Sequence, residues 1–415
     1  MKRLVLISCT FLFALAVLVA CSSDHKDLDI EAPETDSPNG NDNNGNDDGG
    51  TTNTSVAALK SFAINIDKTS AEPTSAADAY YPEDEDNLAN NSFTSEVTIS
   101  FSDNSATYSA PDGVTVIIDG AHVVANHAST KSVHYIVSGS TTAGSLTILG
   151  DKKYELELKG VTITNPDSTA INLLSSKRAY IYLSPGTTNK LTDGTSSKDE
   201  NQKSAFYCKG KMLVNGSGSL EVYGNTKNAI ASADYIIFNK GNNVYAKSTA
   251  KHAIKANDGI FVNGGIINAE TSAKASKAMN CEADIYINGG RTTLITTGEG
   301  EYDTDDQETK GAAGMKADGA IKINGGAVYA KSTGNGGKGI SADLTIDITG
   351  GDVQVITTGK AYTEKGDDSK AKGIKADGDL TISGGTIKVR ATGGEGSEGI
   401  ESKGVMTISN GNVAI

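Results

Sequence analysis

No clustered field of lysine and arginine occurs in this chain, whose 37 basic residues are outnumbered by 51 acidic ones, for a formal net charge of −14. Phosphate backbones need such a field, which argues against a nucleic-acid partner. A hydrolase triad, a phosphate-cradling glycine loop, a zinc spacing and a nucleotide motif are also missing, and His122, His127, His134 and His252 have no ligand spacing. Cysteine is scarce. Beyond the N-terminal run that holds Cys9 and ends at Cys21, only Cys208 and Cys281 remain, too few for a disulfide framework.

What is present begins with a basic Met1-Lys2-Arg3 and an apolar run over 4–20, short for a membrane span and suited to a signal peptide. It closes on Leu18-Val19-Ala20-Cys21, which looks like a lipobox, so the expectation is a signal peptide over 1–20 and lipidation at Cys21. Residues 21–55 form a polar tract with nine acids against Lys26 alone, which cannot bury enough apolar surface to order itself. The expected protein is therefore an outer-membrane lipoprotein exposed at the cell surface on an acidic tether, with the lipid as its only membrane contact.

The body repeats. Short A/G-I/M segments at Ala229, Ala253, Ala278, Gly314, Gly339, Gly373 and Gly399 are spaced 24, 25, 36, 25, 34 and 26 residues apart, a unit of about 25 with two insertions. Each unit reads as three short strands with a Gly-Gly corner between the second and third, as at Gly264-Gly265 and Gly289-Gly290. Alternation turns Ile236/Phe238, Ile260/Val262, Ile285/Ile287 and their successors inward on the second strand, and Val244/Ala246, Ile267/Ala269 and Val328/Ala330 inward on the third. Stacks of like apolar residues predict an all-β, right-handed parallel β-helix of three sheets over 141–415. The leucine pattern of leucine-rich repeats is absent, and a propeller blade needs about forty residues. Cys208 and Cys281 fall on the first strand three coils apart, roughly 14 Å at the inter-strand spacing, beyond disulfide reach. Residues 56–140 hold strands that alternate without repeating and are expected to cap the first coil or form a small β region. The chain stops at Ile415 within a third strand, so a partner or a second copy is expected at that end if no further segment follows.

Equivalent positions form rows. One reads Asn257, Glu282, Asp318, Asp343, Asp377, Lys403, and adjacent carboxylates about 5 Å apart repel unless a cation intervenes. Calcium, a hard ion taking carboxylate and carbonyl oxygens, is one answer; turn-favouring Asp neutralised by neighbouring lysines is the other. The adjoining row reads Ala231, Lys255, Asn280, Lys316, Ser341, Lys375, Glu401, with no two lysines in adjacent coils. A third row, outward on the second strand, runs Leu213, Ile237, Phe261, Tyr286 and then turns polar at Lys322, Asp347, Thr381 and Thr407. It is either an exposed aromatic ridge or one covered by the N-terminal region or a subunit. Insertions at 188–203, 298–312 and 359–371 project from one side, the last two bringing Asp303, Asp305 and Asp367 as further calcium candidates.

The stretches 134–139 (HYIVSG), 158–164 (LKGVTIT), 372–378 (KGIKADG) and 398–404 (EGIESKG) resemble, in order and motif, a bacterial carbohydrate-binding β-helix family over roughly 95–415. That family is related in fold to polysaccharide lyases, and the resemblance implies calcium binding and a polysaccharide ligand. Phe261, Tyr286, Tyr245 and Tyr329 then become candidate sugar-stacking residues, and Lys316 and Lys375 candidate carboxylate clamps. In related lyases a Lys or Arg beside calcium removes the proton α to a uronate carboxylate, so these lysines are equally candidate bases. A non-catalytic, calcium-stabilised polysaccharide-binding protein is the leading expectation, with a uronate lyase and a structural adhesin as alternatives.

Overall fold

The computed structural model describes residues 63–64, 77–128 and 130–415, within the compact unit Thr54–Ile415. The signal segment 1–20, Cys21 and the tether 21–55 lie outside the described residues. Apart from two single-turn 3-10 helices, every described element is a β-strand.

The repeat pairs in parallel, strand on equivalent strand. On the first strand Ile230, Ile254, Met279, Met315, Ile340, Ile374 and Ile400 follow one another in register, all but Ile400 fully or almost fully buried. On the second the series is Met212, Ile236, Ile260, Ile285, Ile321, Ile346, Leu380 and Met406. On the third it is Leu220, Val244, Ile267, Thr292, Val328, Val353, Ile387 and Val413. As far as the Leu380 rung these inward stacks form one continuous apolar core, with Thr292 buried among them, whereas Met406, expected inward, is 42% exposed on the last rung, which has no further strand stacked on it among the described residues. The A/G of the recurring segment has a steric cause: a Cβ on Gly339 would stand 2.1 Å from Val355 Cγ1, and one on Gly373 2.2 Å from Val389 Cγ1. Cys208 and Cys281 are buried and free, separated by the intervening rungs Ser232 and Ala256.

Three differences from the expectation have physical reasons. The parallel sheets are two rather than three, with 12 and 22 strands. The long strand Tyr154–Asn165 runs through a corner and pairs by its first half with Ala179–Leu183 and by its second with Thr188–Asp193, fusing the second- and third-strand ladders. Parallel pairing also starts earlier than residue 141. Ser95–Ser102 already lies alongside Val133–Thr141, while hairpins Ser95–Ser102/Ser105–Ser109 and Thr115–Asp119/Ala121–Asn126 open the two sheets. The first insertion shrinks to 194–203, because Thr188–Asp193 is a rung of the ladder. The other two are antiparallel hairpins, Glu301–Asp303 with Glu308–Lys310 and Tyr362–Glu364 with Asp367–Ser369.

The corner after the second strand carries a ladder of asparagines. Asn239 Nδ2 donates to Asn215 Oδ1 at 2.9 Å, Asn263 to Asn239 at 3.3 Å, Asn288 to Asn263 at 3.1 Å and Asn324 to Asn288 at 2.9 Å. Carboxamides are both donor and acceptor, so identical ones satisfy each other in a stack. The second glycine of each following pair takes positive φ, +73° at Gly290 and at Gly326, with a Cβ at Gly290 falling 2.5 Å from Gly265 O.

The second-strand ridge is covered. Residues 77–93 lie along it as a strap: Tyr81, Leu88 and Phe93 pack on a buried cluster of Tyr180, Leu213, Tyr235, Ile237 and Phe261. Tyr80 stacks on Tyr286 at 5.3 Å and 10° and lies 5.5 Å from Phe261. Its backbone exchanges hydrogen bonds with the Asn263 carboxamide at 2.9 and 3.0 Å, and Ala77 N donates to Asn288 O at 2.7 Å. Phe261, only 6% exposed, and Tyr286 are therefore not an open sugar-stacking surface. The strap's anchor is Asp86, fully buried, which accepts from Arg178 Nε at 2.8 Å and from the Tyr235 hydroxyl at 2.7 Å. Asp86→Ala leaves a mostly buried guanidinium short of one partner and a phenol without one, although Glu83 and Glu85 still pair with Arg178. Urea unfolding should show a loss of about 2–4 kcal/mol, whereas Tyr80→Ala, at a 46% exposed ring, should cost well under half of that.

Candidate functional site

The first-strand sheet shows its outer face as a groove of about 520 Å³, walled on one side by the hairpin at Glu308–Lys310. Strand pairing builds its floor from three rows. The acidic row Glu282, Asp318, Asp343, Asp377 and the lysine row Lys255, Lys316, Lys375 both line it, as the sequence placed them. The third row, at the entry to each first strand, was missed: His252, Lys277, Ala313, Lys338, Lys372. Its signal was a lysine directly before Ala278 and Gly339. That lysine stands one residue ahead of the recurring A/G.

The two lysine rows differ in their surroundings. Lys255 pairs with Glu282 at 2.6 Å; Lys316 bridges Asp318 at 2.9 Å and Asp343 at 2.6 Å; Lys375 and Lys403 hold Asp377 at 2.8 and 2.7 Å. Burial pushes the Asp377 carboxyl upward, but Lys375 and Lys403 prevail and keep it below the ordinary carboxylate range. Lys277 and Lys338, by contrast, have no carboxylate within ion-pair distance among the described residues. Lys277 Nζ donates to Ala275 O at 2.7 Å and Lys338 Nζ to the Ser369 hydroxyl at 2.7 Å. Burial pushes both ammoniums down to about 8, helped by Lys316 and Lys310 around Lys277 and by Lys375 and Lys277 around Lys338. His252, half-buried beside Lys277, accepts from its backbone N–H at 3.0 Å, and loss of water around the ring, with the neighbouring lysines, holds the imidazole well below its usual range.

The acidic row does not fit a calcium cage as it stands. Each carboxylate faces an ammonium, and among the described residues no three His, Cys, Asp or Glu side chains converge on one point. The insertion acids are dispersed. Asp303 pairs with Lys310 at 2.8 Å and caps the amides of Asp305 and Asp306, while Asp367 accepts from Thr309 N at 2.6 Å and so joins the two hairpins. Tyr245 and Tyr329 sit on the third-strand ladder, away from the groove. Tyr245 packs edge-on to Tyr223 at 5.8 Å, and the Tyr329 hydroxyl donates to Asp352 at 3.2 Å.

Unpaired buried ammoniums destabilise a fold. The folded-state pKa of Lys277 lies below its ordinary 10.5, so the folded chain binds fewer protons between about pH 8 and 10.5. Stability therefore rises through that window, and the cost is carried in full below pH 8. Lys277→Met should raise the melting temperature at pH 7 by about 2 °C, with the gain shrinking toward pH 10.5 in a calorimetric pH series.

Comparison with known proteins gives the groove a context. A carbohydrate-binding domain-containing protein of Acetivibrio thermocellus is 29% identical over 133 residues, 30% of this chain, and the match covers 46% of that relative's length. A solved structure titled a polysaccharide lyase-like protein from C. thermocellum, in a gadolinium derivative, aligns with 77% of this chain and 98% of its own, at 18% identity and a TM-score of 0.40. Residues 119–282 and 332–415, which hold Lys277, Lys338, Lys375 and the acids Glu282, Asp343 and Asp377, match the family described as carbohydrate-binding domain-containing protein. Those segments make up more than half of the chain, which thus belongs to the carbohydrate-binding domain-containing protein family.

Proposed function

We propose that this protein is a non-catalytic polysaccharide-binding protein, tethered to the cell surface through Cys21, whose groove holds an acidic glycan. The observation that carries the reading is the pair Lys277 and Lys338, half-buried without a carboxylate in a groove whose other lysines are all matched. A fold retains such a destabilising arrangement where a ligand completes it, and the carboxylates of a uronate chain are suitable partners. In the same proposal the paired ladders wind into a right-handed β-helix, which runs the groove lengthwise along the stack.

Affinity electrophoresis against acidic and neutral polysaccharides tests this directly. Retardation by polyuronates and not by neutral chains is expected. Lys277→Gln with Lys338→Gln should weaken it about tenfold or more, since a hydrogen-bonded charge contributes roughly 1.5–3 kcal/mol. Retardation by neutral chains alone would sink the reading.

Calcium enters the proposal as a competitor of lysine. A hard cation needs six to eight oxygens, and the carboxylates of the acidic row become available only when Lys316 and Lys375 swing away. Melting with and without chelator should be the same; a drop on chelation would return structural calcium to this edge. The lyase reading with Lys316 or Lys375 as base is weaker on the same geometry, because both ammoniums are ion-paired and poorly suited to accept a proton. Absorbance of unsaturated product should stay flat with polygalacturonate and calcium, and turnover abolished by Lys375→Ala would reverse that assignment.

A further inference from the structure

The groove's lysines follow a pattern that goes beyond net attraction. Over five successive repeats the floor carries Lys255, Lys277, Lys316, Lys338 and Lys375, and they alternate between the two lysine rows. In each repeat the other row holds an uncharged residue: neutral His252 beside Lys255, Asn280 beside Lys277, Ala313 beside Lys316, Ser341 beside Lys338. At the fifth repeat the second position is Lys372, but Glu398 at 2.5 Å and Glu401 at 3.0 Å neutralise it. The result is a zigzag that advances about 4.8 Å and changes side at each repeat; the side of Lys255, Lys316 and Lys375 is paired with carboxylates and the side of Lys277 and Lys338 is not, so an uncancelled ammonium recurs on one side after two repeats, about 10 Å.

The geometry points to a ligand with that symmetry: an anionic, 1,4-linked polysaccharide in an extended two-fold ribbon, one sugar per repeat, its acidic groups alternating from side to side. Diequatorial linkage makes such a ribbon, because both glycosidic bonds leave the ring in its plane and each residue is turned over relative to the last. The rise per sugar is then close to the spacing between strands. Diaxial linkage buckles the chain, shortens the rise and brings the acids out of step with the lysines. The inference rests on reading the groove as a polyanion site, and adds which polyanion it selects.

Polymannuronate and polyguluronate separate the two questions, since both are 1,4-linked hexuronates of equal charge per residue and differ in diequatorial against diaxial linkage. Affinity electrophoresis of the full protein against each, in calcium-free buffer at one ionic strength, should show at least tenfold tighter binding to polymannuronate. Lys277→Ala with Lys338→Ala removes one side of the zigzag and should bring the two polymers to within about threefold of each other. Lys331→Ala, on the third-strand ladder, should leave the ratio unchanged and serves as a folded control. Equal affinity for both polymers, or preference for polyguluronate, overturns the two-fold reading and leaves the polyanion site standing. Absence of binding to either overturns both.

Discussion

In-register parallel stacking decides what can follow any residue in the next repeat, and most of this molecule is a response to that constraint. Strands about 4.8 Å apart put equivalent side chains in contact. Facing inward, the rule favours like on like, so Ile230, Ile254 and Met279 continue one another and the core is one column. At the corner it favours a group that is its own partner, and the carboxamides from Asn215 to Asn324 meet that need. On the outer face the same proximity penalises like charges. There lysine skips a row at each step and acids stand beside lysines, so the groove's charge pattern is a consequence of the pitch.

The second-strand face solves a different problem. Its outward row is apolar from Leu213 to Phe261 and cannot be left in water over that length. Residues 77–93 cover it, and the extent of the cover matches the row. Ala77 bonds to the Asn288 carbonyl, in the same repeat as Tyr286, and one repeat later the row turns polar at Lys322, whose ammonium lies 5.1 Å from the Tyr286 ring. The anchor at the opposite end is electrostatic: Glu83, Glu85 and Asp86 close on Arg178, and Glu83 on Lys211. Hence the acidic stretch 83–86, which in the sequence looks like one more contribution to net charge, is a clasp.

The repeat was legible because its signals are local. Period-2 alternation, a small residue before each Ile or Met, and glycine at a positive-φ corner can each be read one unit at a time. The acidic and central lysine rows followed from the same register, and the structure brings Glu282, Asp318, Asp343, Asp377, Lys316 and Lys375 to one groove. What escaped depends on contacts between distant segments. That Phe261 and Tyr286 lie under Tyr80, more than 180 residues away in sequence, has no periodic signature. The fusion of two ladders needed Tyr154–Asn165 to run through a corner that other repeats break with glycine pairs. The Lys277 row was visible as letters but not as a site, since its setting depends on the inserted hairpins, with Lys310 lining the groove beside Lys277 and Ser369 bonded to Lys338.

Those hairpins also bear on how the groove's charge can work. Lys255, Lys316 and Lys375 are spent on neighbouring carboxylates, and the field they project is largely cancelled. Long-range steering by such a surface is weak and is screened beyond about 10 Å at ordinary ionic strength. What is left is Lys277 and Lys338, half-buried, whose ammoniums donate to Ala275 O and to the Ser369 hydroxyl. An anion reaching them makes a charge-assisted contact, and the gain is local and directional. On the proposed reading, contacts at two points of fixed spacing would discriminate by the ligand's repeat distance and shape more than by its total charge. A net charge of −14 does not oppose that proposal, since the contacts it invokes are two unpaired ammoniums and not the sign of the whole surface.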